Sequence, residues 1–112
     1  MTLTLQQCFG ANATEDINTI TISKADLAAN GGYTPSATDT PSEILVAILK
    51  NYTLVANATT QQSDPTIVVT VTLSSTPTTT YLNSSTYQQD TYSVAMIKPL
   101  QNVGIINPDD YP

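Results

Sequence analysis

A chain of 112 residues carries nine acids against three lysines, with no arginine and no histidine, for a net charge of −6. Lys24, Lys50 and Lys98 are too few and too scattered to neutralise a run of phosphates, which argues against nucleic acid and anionic membrane surfaces as partners. Without imidazole there is no ordinary Ser-His-Asp or Cys-His relay and no nitrogen-ligated zinc or iron site, and a single Cys8 allows no intrachain disulfide.

Only 11% of residues are charged, against about 25% in an ordinary soluble domain. Threonine, serine, asparagine and glutamine fill the gap. A polar, weakly charged surface lacks the repulsion that keeps free proteins apart, and suits a protein packed against copies of itself or a partner. One domain spanning 1–112 is expected, with N-terminal strands and a short helix over 1–39, a main helix over 40–56, a β-meander over 66–98 and an extended tail over 99–112.

In chain order, Leu3 and Leu5 alternate with Thr2 and Thr4 as a short strand would, and Gln6 to Phe9 either prolongs it or makes one helical turn. The opening MTLTLQQCFG has neither a basic nor a long apolar stretch, so no secretory signal is expected there. Cys8, beside Phe9, reads as a small buried hydrophobe. Gly10 to Asp16 reads as a loop, and Ile17 to Ser23 as a strand. Ser23 then caps a helical turn, KADLAAN, that Asn30-Gly31-Gly32 stops. Tyr33 to Asp39 is a connection.

Thr40 to Val55 predicts the main helix. Thr40, Pro41 and Glu43 form a capping box with proline at the first helical position. Ile44, Leu45, Ile48, Leu49 and Tyr52 fall on one stripe, with Ser42, Glu43, Lys50 and Asn51 opposite. Asn57 to Pro65 reads as a polar loop. Thr66–Leu73, rich in β-branched residues, is the strongest strand, with Ile67, Val69, Val71 and Leu73 on its apolar face. Pro77 breaks it. Thr78 to Leu82 reads as a short edge piece, Asn83-Ser84-Ser85 as a turn, and Thr86 to Ile97 as a long return strand in which Tyr92, Val94 and Met96 alternate. After Pro99, Val103, Ile105 and Ile106 are expected to dock the tail. The fold class expected is α+β, mainly antiparallel β, with one amphipathic helix on a small sheet and extended termini.

No catalytic residue, cofactor site or metal site emerges. Asp109 and Asp110, even with Asp64, lack the ligand number and patterned loop of a calcium site, and Glu15-Asp16 reads as a solvated pair. Sequons at Asn12, Asn51, Asn57 and Asn83 are what an Asn-, Thr- and Ser-rich chain produces by chance. The residues that do suggest a role are interface candidates. Thr66, Thr70 and Thr72 line the polar face of a strand open to pairing. Tyr81, Tyr87, Tyr92 and Tyr111 are amphipathic rings of the kind that recur at interfaces, and Ile105 and Ile106 lie in the tail.

The strand TIVVTVTLSS, the return strand STYQQDTYSVAMI, the histidine-free acidic composition and the PDDYP tail together resemble small structural proteins of tailed bacteriophages, cyanobacterial phages in particular. The resemblance implies a non-enzymatic virion component. A capsid cement, or decoration, protein bound to the major capsid protein is the first expectation, and a tail or neck accessory the second. It also implies a homo-oligomer and a location in the virion after synthesis in the host cytoplasm. A small carbohydrate-binding or adhesin-like module, with tyrosines as sugar platforms, is the alternative from another class.

Overall fold

A computed structural model describes residues 3–100 and 103–112. The architecture is α+β: 31% of residues are helical and 22% are in strands, and every strand pair is antiparallel.

Helix α1 (Leu5–Phe9) takes the helical alternative read for Gln6 to Phe9 and replaces the strand that the alternation of Leu3 and Leu5 suggested. Thr4 Oγ1 accepts the Gln7 N–H at 3.2 Å while Gln7 Oε1 accepts the Thr4 N–H at 2.7 Å, a reciprocal cap that outweighs two alternating leucines. The helix ends at Gly10, whose φ of +110° suits glycine and whose missing side chain makes room for Asp26. The strand expected over 17–23 shrinks to two residues. β1 (Thr14–Glu15) and β2 (Ile20–Thr21) pair around Asp16, whose Oδ1 accepts the N–H groups of Asn18 and Thr19 at 2.8 Å each. This side-chain-built turn bends the chain and leaves Ile17 exposed at its tip. Helix α2 (Lys24–Ala28) follows Ser23 and gives way to Gly31 and Gly32, both at positive φ, as their sequence suggested.

Helix α3 (Pro41–Val55) begins with the expected box: Thr40 Oγ1 accepts from Glu43 N at 3.2 Å and Glu43 Oε1 accepts from Thr40 N at 3.1 Å. Its inward face differs from the apolar stripe. Ala47 and Asn51 are buried, whereas Leu45 is 57% exposed. The reason is that α3 touches α1, α2 and a strand at once, so its inner surface is decided by three neighbours of different chemistry. The polar loop expected after it contains α4 (Ala58–Ser63), initiated by Asn57, whose Oδ1 accepts from Thr59 N and Thr60 N at 3.0 and 2.9 Å.

Strand β3 (Val69–Leu73) pairs with β6 (Tyr92–Met96) in a register that sets Val71 against Val94. Between them the chain runs out and back as a second hairpin, β4 (Thr78–Leu82) with β5 (Ser85–Gln89), turning at Asn83 and Ser84, both at positive φ. The long return strand is thus interrupted: Asp90 and Thr91 face the four residues Ser74 to Pro77, and the two ladders are offset. The tail closes with a 3-10 turn at Pro108–Asp110.

Among the described residues the buried hydrophobic core is small: Cys8, Ala13, Leu27, Ala47, Ala56, Ile67 and Val71. Sixteen large apolar residues stay exposed. The radius of gyration is 16.1 Å, against about 13 Å for a compact domain of this length. The accessible surface is 8016 Å², where a free monomer of this mass has about 6,000 Å².

Candidate functional site

The charged residues are largely spent on holding loops. Lys24 Nζ donates to the Ser36 carbonyl at 2.9 Å and lies 3.1 Å from Asp39 Oδ2. Lys50 Nζ donates to the Gly31 carbonyl at 2.8 Å. Lys98 Nζ donates to the Ile105 carbonyl at 2.9 Å, sits 3.4 Å from Asp110 Oδ2 and lies 5.6 Å from the centre of the Tyr111 ring. Each cation therefore anchors another segment, and Lys98 is one hold on the tail.

Asp39 is closely enclosed, its side chain 1% exposed. Its Oδ2 accepts from the Tyr33 hydroxyl at 2.6 Å and from Ser36 N at 3.2 Å. The Tyr33 bond, then the Ser36 amide, hold the Asp39 carboxyl below its ordinary range, and the same contact pushes Tyr33 up to about 12. This cluster pins the 33–39 connection ahead of α3. The phenol and the amine both meet Asp39 Oδ2, while Oδ1 is buried with no hydrogen-bond partner among the described residues, and the cluster acts as a structural clasp. Burial raises the Cys8 thiol, so it is held as the unreactive thiol. Thr66 lowers the Asp64 carboxyl chiefly through its hydroxyl, 2.5 Å from Asp64 Oδ1. Among the described residues no three Cys, Asp or Glu side chains gather as a metal ion would require, and no helix is long and apolar enough to cross a membrane.

The threonine-lined strand needs correction. Thr70 is 3% exposed and is out of reach of any partner. Thr72 Oγ1 accepts the Ala58 N–H at 3.1 Å. The edge of β3 that faces away from β6 is closed by the C-terminal turn of α3. Val71 N donates to the Ala56 carbonyl at 2.8 Å, Tyr52 Oη donates to the Val69 carbonyl at 3.1 Å, and Thr53 Oγ1 donates to the Val71 carbonyl at 2.5 Å. A strand that looked open in sequence is paired on both sides.

The tyrosines separate. Tyr81 is 70% exposed and Tyr87 is also exposed, both on the β4–β5 arm, while Tyr92 is half-buried opposite Leu73. Tyr111 is half-buried under Lys98 and borders an open cleft of about 740 Å³ whose walls include Phe9, Tyr52, Ile67 and Val69. Val103, Ile105 and Ile106, expected to dock the tail, are instead exposed. A second hollow of about 400 Å³ lies beside α3, lined by Tyr33, Glu43, Val46 and Lys50.

The feature that sequence reasoning passed over is the outer side of β6. Ile97 N donates to the Val68 carbonyl at 2.9 Å and the Thr91 carbonyl accepts from Ser74 N at 2.8 Å, so odd-numbered residues of this strand turn their backbone to β3. Tyr92, Val94 and Met96 turn theirs away, and among the described residues no strand pairs there. Val94 is 53% exposed, and Met96 and Ile97 are exposed beside it. The available signal was YSVAM itself: five residues with neither charge nor proline, the usual protections of a free edge.

Comparison with known proteins found no matching family model, no matching curated sequence and no matching solved structure.

Proposed function

We propose that this chain is a non-enzymatic structural subunit whose apolar surface is covered by neighbours in an assembly, and that the assembly is a tailed-phage virion. The first reading is a capsid cement protein lying on the major capsid protein; a tail or neck accessory is the second. The observation that carries the assembly reading is the exposed area. About 2,000 Å² more surface is open than a monomer of this mass ordinarily leaves, and a standard protein interface covers about 800 Å² per partner. The surplus thus matches more than one contact per subunit. Its composition agrees: large apolar side chains and two tyrosines on an arm with little of the body beneath it. The virion setting rests on the resemblance of the two Thr- and Tyr-rich strands and the tail. Weak contacts repeated over many linked sites are enough to hold a shell.

The test is quantitative peptide mass spectrometry on particles purified from the virus that encodes the chain. A cement protein is present in a fixed ratio to the major capsid protein, and its removal lowers the temperature at which shells release their contents. Absence of the chain from purified particles refutes the virion reading. A glycan array checks the carbohydrate-binding alternative, which requires selective binding that an assembly subunit does not show.

A further inference from the structure

We propose that two copies of this chain join through the outer edges of β6, extending two β3–β6 pairs into one antiparallel four-stranded sheet. The inference rests on the assembly reading above and names its contact.

The edge is chemically unfinished. The N–H and C=O groups of Tyr92, Val94 and Met96 point away from β3 and have no partner among the described residues. Backbone groups at a free edge are a template for another strand. Val94, Met96 and Ile97 stand exposed around it, and nothing in Tyr92–Met96 is charged or proline. Helices close the far edge of β3, so β6 is where this sheet can grow.

The occupant that fits is a second copy, because the strand is self-complementary. An antiparallel register centred on Val94 sets Val94 against Val94 of the second copy, Ser93 against Ala95, and Tyr92 against Met96. It engages all five residues of β6, and sliding it either way leaves some unpaired. The outward-facing residues Tyr92, Val94 and Met96 become the hydrogen-bonded pairs, giving about six interchain backbone bonds. The surplus surface is large enough to include such a contact with area left for other neighbours.

The test is light scattering on the purified chain with paired edge variants. Wild type is expected at twice the 11.9 kDa chain mass. Val94→Lys and Val94→Glu each place like charges directly opposite at the two-fold axis, so each alone runs as a monomer with an unchanged far-ultraviolet spectrum. Mixed in equal amounts they return the dimer. Oxidative cross-linking reads the register in a chain that differs only at one small residue. Val94→Cys forms a disulfide dimer, because directly opposed hydrogen-bonded residues sit about 5.5 Å apart, within the disulfide range of roughly 4.4–6.8 Å. Ser93→Cys does not, its two copies being about 8 Å apart in this register. Wild type with its buried Cys8 is the control. A monomeric wild type overturns the proposal, as does a dimer indifferent to both charge variants or cross-linking equally at 93 and 94. The two readings fail separately. A monomer found in particles removes only the β6 contact, and a β6-paired dimer absent from particles removes only the virion role.

Discussion

Asn51 tests the fold most directly, because its amide lies on what the apolar pattern marks as the outer face of α3. It is 8% exposed; its Nδ2 donates to the Cys8 carbonyl at 2.7 Å and its Oδ1 accepts from the Asn30 amide. One side chain thus ties the end of α1 and the end of α2 to α3. Replacing it with alanine strands the Cys8 carbonyl, a helix-terminal acceptor without an intrahelical donor. A buried unsatisfied group costs about 1–3 kcal/mol, and the higher helix propensity of alanine returns about 0.5 kcal/mol. A net loss of about 1.5 kcal/mol follows from those terms. With an unfolding entropy of about 2.1 cal/mol/K per residue, Tm falls by about 6 °C. Leu45→Ala, on the exposed side, shifts stability by less than about 0.5 kcal/mol. Thermal denaturation followed by circular dichroism, at one protein concentration because association raises Tm, compares the two. An Asn51→Ala loss no larger than that of Leu45→Ala would refute the arrangement of helices described here. Asn51→Asp is expected to be worse than alanine, since it removes the donor and sets a carboxylate against the Cys8 carbonyl.

Two further outcomes follow from the clasp and the arm. Tyr33, raised to about 12 against an ordinary 10.0, contributes stability that is complete below pH 10 and lost as pH rises through 12. Asp39 is lowered, so its contribution is present above its unfolded value near 4 and is lost as pH falls below it. Denaturant midpoints across both ranges should decline at the two ends, and Tyr33→Phe should remove the share of the alkaline decline due to this pair. An alkaline decline unchanged in Tyr33→Phe contradicts the assignment. Ser84 occupies a left-handed position, φ +63°, at the tip of the arm; glycine there relieves about 1 kcal/mol of strain. Hydrogen exchange in β4 and β5 should slow several-fold in Ser84→Gly while the global Tm barely moves, because the hairpin rests chiefly on itself. Equal exchange in the two chains speaks against a left-handed Ser84.

Local signals were legible wherever a short stretch carries its own stop or start. Thr40, Pro41 and Glu43 placed the start of α3, Asn30-Gly31-Gly32 the end of α2, and Asn83-Ser84 the tip of the arm. Thr4 and Gln7 held the same kind of signal for α1, but two alternating leucines competed with it. The helix α4 has no apolar period to read, only a cap at Asn57. Of the interface candidates, Tyr81 and Tyr87 could be placed on the surface from their polar strand surroundings, whereas Thr70 could not be placed inside. Its burial comes from α3 lying along β3, a contact between residues some 17 positions apart in the chain.

The amino-acid order by itself determined the α+β class, the Thr40 cap, the hairpin turn and the lack of imidazole or guanidinium chemistry, since each depends on neighbours within a few residues or on inventory alone. Tertiary structure decided which side of α3 is buried, which edge of the sheet is closed and which stands open. Those outcomes turn on backbone groups, which every residue carries alike, and only the spatial arrangement of helices and strands says whether a given N–H or C=O has met a partner.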